Sequence, residues 1–164
     1  MKIKGLTIAF ILCMAAVTRL HSFGVGLQVN LRAGDIFAPG IALAFSPSSK
    51  THIAANWNIA ADELNIIGLT LDAVPLALPL VSSRMATFNF TLGVGLYANM
   101  VFQSGSDNGF NGGVRVPIGF NVMLLQNVLE VYTHVAPSFG VDFIPSIGFA
   151  KPFFPIALGV RLWI

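Results

Sequence analysis

The stretch Phe88–Phe102 reads FNFTLGVGLYANMVF, and it divides cleanly when its residues are taken in twos. Phe88, Phe90, Leu92, Val94, Leu96, Ala98, Met100 and Phe102 fall on one side. Asn89, Thr91, Gly93, Gly95, Tyr97, Asn99 and Val101 fall on the other. Period-2 alternation marks a strand with two unlike faces. Soluble strands usually end after about 5 or 6 residues, whereas a tilted strand crossing a bilayer needs about 9 to 11. This one is long enough to cross.

The same pattern recurs outward from it in both directions. Toward the C-terminus, Val114–Val122 and Leu129–Val141 alternate, the latter with Glu130, Tyr132, His134, Ala136, Ser138 and Gly140 on its mixed face. The closing stretch Pro155–Ile164 sets Ile156, Leu158, Val160, Leu162 and Ile164 against Ala157, Gly159, Arg161 and Trp163. Toward the N-terminus, Phe23–Arg32, Phe37–Phe45, His52–Ile59 and Ile67–Asp72 alternate in the same way. Turn signals separate several of these segments, at Ala33-Gly34-Asp35, Ser46–Lys50 and Ala61-Asp62-Glu63. Gln103–Gly113 reads as a polar, glycine-rich loop and 142–154 as an apolar one. Pro75–Ala86, rich in proline, reads as an extended connection without strand character. The count is eight strands, an even number as antiparallel closure requires.

Composition decides what surrounds them. The chain is 55% hydrophobic and 10% charged with mean hydropathy +0.77, against about 25% charged residues in soluble domains. No apolar run reaches the 18 or so residues of a spanning helix. A soluble ligand-binding barrel would turn its apolar face inward and carry charged residues outside. Here the second face holds Gly, Ala, Asn, Thr and isolated charges, which suits the narrow lumen of an eight-stranded barrel in a membrane. Phe23, Phe37, Phe45, Trp57, Phe88, Phe102 and Phe139 fall on apolar faces near strand ends, the distribution of an aromatic girdle at two membrane interfaces.

The first 22 residues read as a signal peptide. Lys2 and Lys4 form a positive start, Gly5–Val17 an apolar core, and Ser22 a small residue at the exit. Cys13, the chain's one cysteine, lies in that core, preceded by bulky residues that do not suit lipid attachment. Removing Lys2, Lys4 and Arg19 takes the formal charge from +2 to −1, and with it any basic footprint for nucleic acid. The expectation is an all-β protein: residues 1–22 a signal peptide, residues 23–164 an eight-stranded antiparallel transmembrane β-barrel.

The signal peptide, the eight alternating strands and the aromatic-hydrophobic end Trp163-Ile164 resemble the small outer-membrane barrels of the OmpX, OmpA-barrel and OmpW kind. LGVGLYANMVF, GGVRVPIGFNVML and LEVYTHVAPSFGVDF are also similar to small spirochaetal outer-membrane barrels. The resemblance implies an outer-membrane location in a Gram-negative-type bacterium. It also implies recognition of Trp163 and Ile164 by the barrel-assembly machinery, although the family's terminal Phe or Trp is Ile here.

Four inward charges form the candidate site. With both termini periplasmic, Glu130 and Arg161 fall near the same end of neighbouring strands. An unpaired buried charge is costly, so the two are expected to pair, as are Arg115 and Asp142 at the other end. Their expected role is structural, as plugs of a closed lumen, with gating of a narrow pore the alternative. Catalysis is not expected. His134 and Ser138 share a face but stand about 13 Å apart in a strand, too far for a base and its nucleophile, and His52 has no obvious nucleophile beside it. No metal-ligand spacing and no cofactor motif occurs. The reading is a monomeric barrel with a structural or surface-interaction role, meeting lipid and an extracellular ligand at 103–113 or 142–154. A narrow channel for small solutes or small hydrophobic molecules is the runner-up.

Overall fold

In the computed structural model, residues 23–33, 37–60, 64–103 and 108–164 are described. The expected signal peptide, residues 1–22, and the centres of three connections lie outside them. Ten strand segments follow in order: β1 (Gly24–Ala33), β2 (Ala38–Ser48), β3 (Thr51–Ile59), β4 (Asn65–Ser82), β5 (Ala86–Phe102), β6 (Gly109–Arg115), β7 (Ile118–Leu124), β8 (Leu129–Val135), β9 (Ser138–Ile144) and β10 (Gly148–Trp163). They occupy eight places in one antiparallel ring. Val116-Pro117 divides one long strand into β6 and β7, and Ala136-Pro137 divides the next into β8 and β9. β1 pairs β10 over the whole length of β1 and closes the ring. Paired backbone bonds between Phe23 and Ile164, at 3.1 and 2.9 Å, finish the seam. The protein is an eight-stranded antiparallel transmembrane β-barrel.

The registers fix its dimensions. Ala86 lies opposite Leu124, then Leu129, Leu162, Val25, Phe45, Ile53 and Leu71 in turn, and Leu71 lies opposite Leu96. One circuit therefore climbs from residue 86 to residue 96, a shear of ten. With ordinary strand spacing this gives a tilt of about 40° and a backbone radius of about 8 Å. A cylinder that narrow must be filled by its own side chains.

The two faces are as unlike as the sequence pattern implies. Leu27, Leu43, Leu69, Val94, Val114, Leu158 and Val160 lie exposed on the outside. Gln28, Asn58, Thr70, Asp72, Asn99, Asn111, Arg115, Glu130 and Arg161 are buried inside. This inversion of the soluble arrangement is stable only where hydrocarbon replaces water around the belt.

Three expected loops contain strand. Residues 75–86 continue β4 to Ser82, paired to β5 with register shifts at Ala73/Leu76 and Pro79/Val81. β3 starts at Thr51, opposite Ala73, and Val74 N donates to Lys50 O at 2.7 Å; beyond Val74 this edge pairs with no residue of β3. Prolines are tolerated on such an edge and discourage further pairing there. The polar stretch 103–113 enters β6 at Gly109, and 142–154 is mostly the ends of β9 and β10 around a turn at 145–147. These hairpins extend past the apolar belt, where both faces can be wet and alternation is no longer required.

Leu43 is 68% exposed near the middle of β2. We predict that Leu43→Arg costs about 2–4 kcal/mol in urea unfolding of the protein refolded into lipid vesicles. Unchanged stability would mean that this face does not meet hydrocarbon.

Candidate functional site

The lumen is a chain of hydrogen bonds built on the inward positions of every strand. At the end carrying the 49–50, 83–85 and 125–128 turns, Glu130 is its centre. Arg161 is its register partner on the neighbouring strand, which brings the Arg161 Nη1 to 2.7 Å from Glu130 Oε2. Trp163 Nε1 donates to the same oxygen at 2.9 Å, and Asn121 Nδ2 donates to Oε1 at 2.7 Å. Asn89 donates in turn to Asn121 at 2.7 Å. One carboxylate thus ties side chains from β7, β8 and β10, with β5 behind them. The Arg161 guanidinium also lies 4.5 Å from the centre of the Tyr132 ring, a cation–π contact.

Tyr132 carries the chain upward. Its hydroxyl donates to Gln28 Oε1 at 2.9 Å, Gln28 bonds Asn30, and Asn30 donates to Asn56 at 2.8 Å. Gly159 makes the Tyr132 position possible, since a methyl group there would overlap the phenol ring.

The second ion pair differs from the expected one. Arg115 Nε lies 3.2 Å from Asp72 Oδ1, with both side chains buried. The contact has ion-pair distance without hydrogen-bond alignment. Asp72 on β4 and Arg115 on β6 are both register partners of Gly95 on the strand between them. With no side chain at Gly95 the two charged groups can meet above it, and a Cβ there would strike the Asp72 carboxylate. Asp142 is not the partner. It lies opposite Asn111 on β9, four positions beyond Arg115 toward the loop end, or about 13 Å along a strand. There it borders an open cavity of about 220 Å³ with Arg32, Asn111, Lys151 and Phe153. Arg115 also places Nη2 at 3.1 Å from His134 Nε2.

His134 and Ser138 have separate partners: Ser138 Oγ donates to Ala136 O at 2.8 Å. The structure corrects the reading of His52, however. Ser46 Oγ lies 2.6 Å from His52 Nδ1, and His52 is the register partner of Asp72. Serine, histidine and aspartate thus stand on three consecutive strands, a grouping that only the register reveals. Ser46 has no exposed surface, so nothing can reach its hydroxyl for attack, and it belongs to the packed lumen. Among the described residues no group of three His, Cys, Asp or Glu side chains is placed to hold a metal.

The aromatics expected at the interfaces sit at opposite ends of the barrel. Phe23, Phe45 and Phe88 lie toward the turn end, where Phe23 packs on Phe45 and Phe88 stacks on Phe120 at 5.4 Å. Phe37, Trp57, Phe102 and Phe139 lie toward the loop end. Trp163 faces the lumen and is buried, while Ile164 is exposed.

No family model and no curated protein matches the chain. Among solved structures, the N-terminal β-barrel domain of Pseudomonas aeruginosa OprF is 12% identical with a TM-score of 0.48. That match covers 86% of this chain and 97% of that one. Neisserial surface protein A is 10% identical, covering 86% and 95% of the two chains, with a TM-score of 0.47. Ail, the attachment invasion locus protein of Yersinia pestis, is 9% identical, covering 87% and 97%, with a TM-score of 0.38. The similarity is one of overall shape. The closed strand ring and its inverted faces establish the barrel on their own.

Removing one member of a buried, hydrogen-bonded pair costs about 3–5 kcal/mol, whereas replacing both by apolar groups can be neutral. We therefore expect Glu130→Leu alone to destabilise the refolded barrel by about that amount. Adding Arg161→Met should recover most of the loss, read from urea unfolding. A double variant no better than the single one would show that Arg161 does not depend on Glu130.

Proposed function

We propose that this protein is an integral outer-membrane barrel with a structural or surface-interaction role, its lumen plugged by its own side chains. The observation that carries the reading is the division of the interior. Two cavities of about 50 and 40 Å³ lie one above the other. Gln28, Thr70, Arg115 and His134 line both and form the partition between them. About 10–15 Å³ is needed for one water, so neither space passes a hydrated solute. A conduit for hydrophobic molecules would need an apolar lining. This one carries Asp72, Arg115, Glu130 and Arg161.

The turn end, which also holds both ends of the barrel chain, faces the periplasm in this reading. There Trp163 and Ile164 are offered to the assembly machinery before the barrel closes. The loop end then faces outward, with Phe143, Ile147 and Phe149 exposed on the β9–β10 hairpin. The 142–154 stretch that holds this hairpin, or the 103–113 stretch, is the surface this reading assigns to an extracellular ligand. The exposed apolar belt supports the outer-membrane location, because bilayer-spanning barrels of this kind belong to outer membranes.

Planar-bilayer recording tests the plug. The refolded protein should give no stepwise conductance, and Arg115→Ala, which opens the partition, should give small steps. Regular steps from the unaltered protein would replace this reading with a narrow channel gated by the lumen charges.

A further inference from the structure

Four prolines, on four of the five successive strands from β4 to β10, interrupt the same part of the wall, β5 alone carrying none. In an antiparallel ladder, opposed residues at alternate positions exchange two N–H···O bonds, and proline supplies no N–H. The registers place Gly93 opposite Pro117, Val116 opposite Pro137, and Ala136 opposite Pro155. Each pair keeps one bond: Gly93 N to Pro117 O at 2.8 Å, Val116 N to Pro137 O at 3.0 Å, and Ala136 N to Pro155 O at 2.9 Å. Each loses the return bond. On the next seam, between β4 and β5, Pro75 lies inside the register shift from Ala73 to Leu76. The seams β10–β1, β1–β2 and β3–β4 run without a register shift, and β2–β3 does so from Gly40 to Phe45. On the other side β2 carries Pro39, opposite Leu31 close to the loop end, so the weakness is concentrated between β4 and β10.

The strip lies away from both ends of its strands, where a missing backbone bond has no water to replace it. Side chains from the lumen span it instead. The Asp72–Arg115 contact bridges from β4 over β5 to β6, and the Arg115–His134 contact bridges on to β8. Ser138 Oγ supplies Ala136 O with the donor that Pro155 lacks. Thr133 Oγ1, donating to Ala157 O at 2.9 Å, joins β8 to β10. Directly behind the strip is the cavity of about 50 Å³, lined in part by Asp72, Thr91, Arg115, Pro117 and His134.

We propose that this strip is a lateral seam: the wall opens between β4 and β10 at Pro75, Pro117, Pro137 and Pro155, and Arg115 latches it from inside. Opening joins the lumen cavity to the hydrocarbon layer. The end-to-end path stays plugged. The seam stands independently of whether the lumen conducts.

Hydrogen exchange followed by mass spectrometry, on the protein refolded in lipid nanodiscs, tests it. A ladder bond contributes about 1 kcal/mol net, so losing one at each seam should make segments 90–96, 112–120 and 132–140 exchange about fivefold faster than 25–31 and 41–45 in the same molecule. Pro117→Ala and Pro137→Ala restore the missing donors and should slow the strip toward the other segments. Arg115→Met should accelerate the strip about tenfold further while 25–31 stays unchanged. A general loss of stability would instead accelerate both sets together, and that result assigns Arg115 no latch. Equal protection of the strip and β1–β2 in the unaltered protein overturns the seam, as does unchanged exchange in both proline variants.

Discussion

Backbone pairing in a medium without water is the constraint from which the rest of this molecule follows. Every N–H and C=O within the hydrocarbon must find a partner, and a sheet with an open edge there cannot satisfy that. The chain meets the requirement by joining its first strand to its last, with β1 matched to β10 from Gly24 to Ala33. Closure at eight strands and a shear of ten fixes a radius of about 8 Å. That radius leaves an interior only side chains wide. The polar lumen is therefore a consequence of geometry as much as of composition: whatever faces inward must pack, and whatever is charged must find its opposite.

Packing across so small a space depends on what is missing as well as on what is present. Asp72 and Arg115 meet because Gly95 stands between them, and Tyr132 lies flat because Gly159 is beneath it. Large and absent side chains alternate around the ring, so each long group occupies room that a neighbouring strand gives up. The gain from the ion pairs themselves is small, since desolvation offsets much of the Coulomb attraction in a buried pair. What they supply is register. A one-residue slip between β8 and β10 would turn Glu130 or Arg161 toward lipid, an error far more costly than the pair is favourable.

The two faces of the wall were legible in the sequence because a strand in a membrane barrel has an obligatory period of two. Leu27 and Gln28, or Leu158 and Gly159, declare their sides without help from neighbours. Strand ends were not legible. Once a hairpin leaves the bilayer the alternation relaxes, so 77–82, 109–113 and 148–154 carry no such signal though they are paired strand. The site divided along the same line. Glu130 and Arg161 were matched because both lie close to one end of adjacent strands, where heights can be counted from the chain ends. The partner of Arg115 is not legible in the same way, because it sits two strands away, across a glycine, and that distance depends on the shear of the whole ring. Asp72 was visible as the only acidic residue on its strand's inner face, but nothing local said what it would meet. Ser46 beside His52 was hidden for the same reason, within a segment read as a turn.

The wall is not uniform around the ring, and its charges follow the difference. Inward positions of β1–β3 are mostly Gly24, Gly26, Ala42, Ala44, Ala54 and small amides, with His52 on β3 and Arg32 near the loop end of β1, on seams with nearly continuous backbone pairing. From β4 to β10, where prolines remove ladder donors, the inner face carries Asp72, Arg115, Glu130, His134 and Arg161. A strand that keeps its ladder needs little from its side chains and can spare room for others. A strand that lacks a donor must be held by something else, and in hydrocarbon only an inward side chain can do it. Most of the wall's prolines and most of the inward charges thus share one half of the barrel, with Pro39 and Arg32 on the other near the loop end. The backbone is weakened where the lumen chemistry is strong enough to hold it.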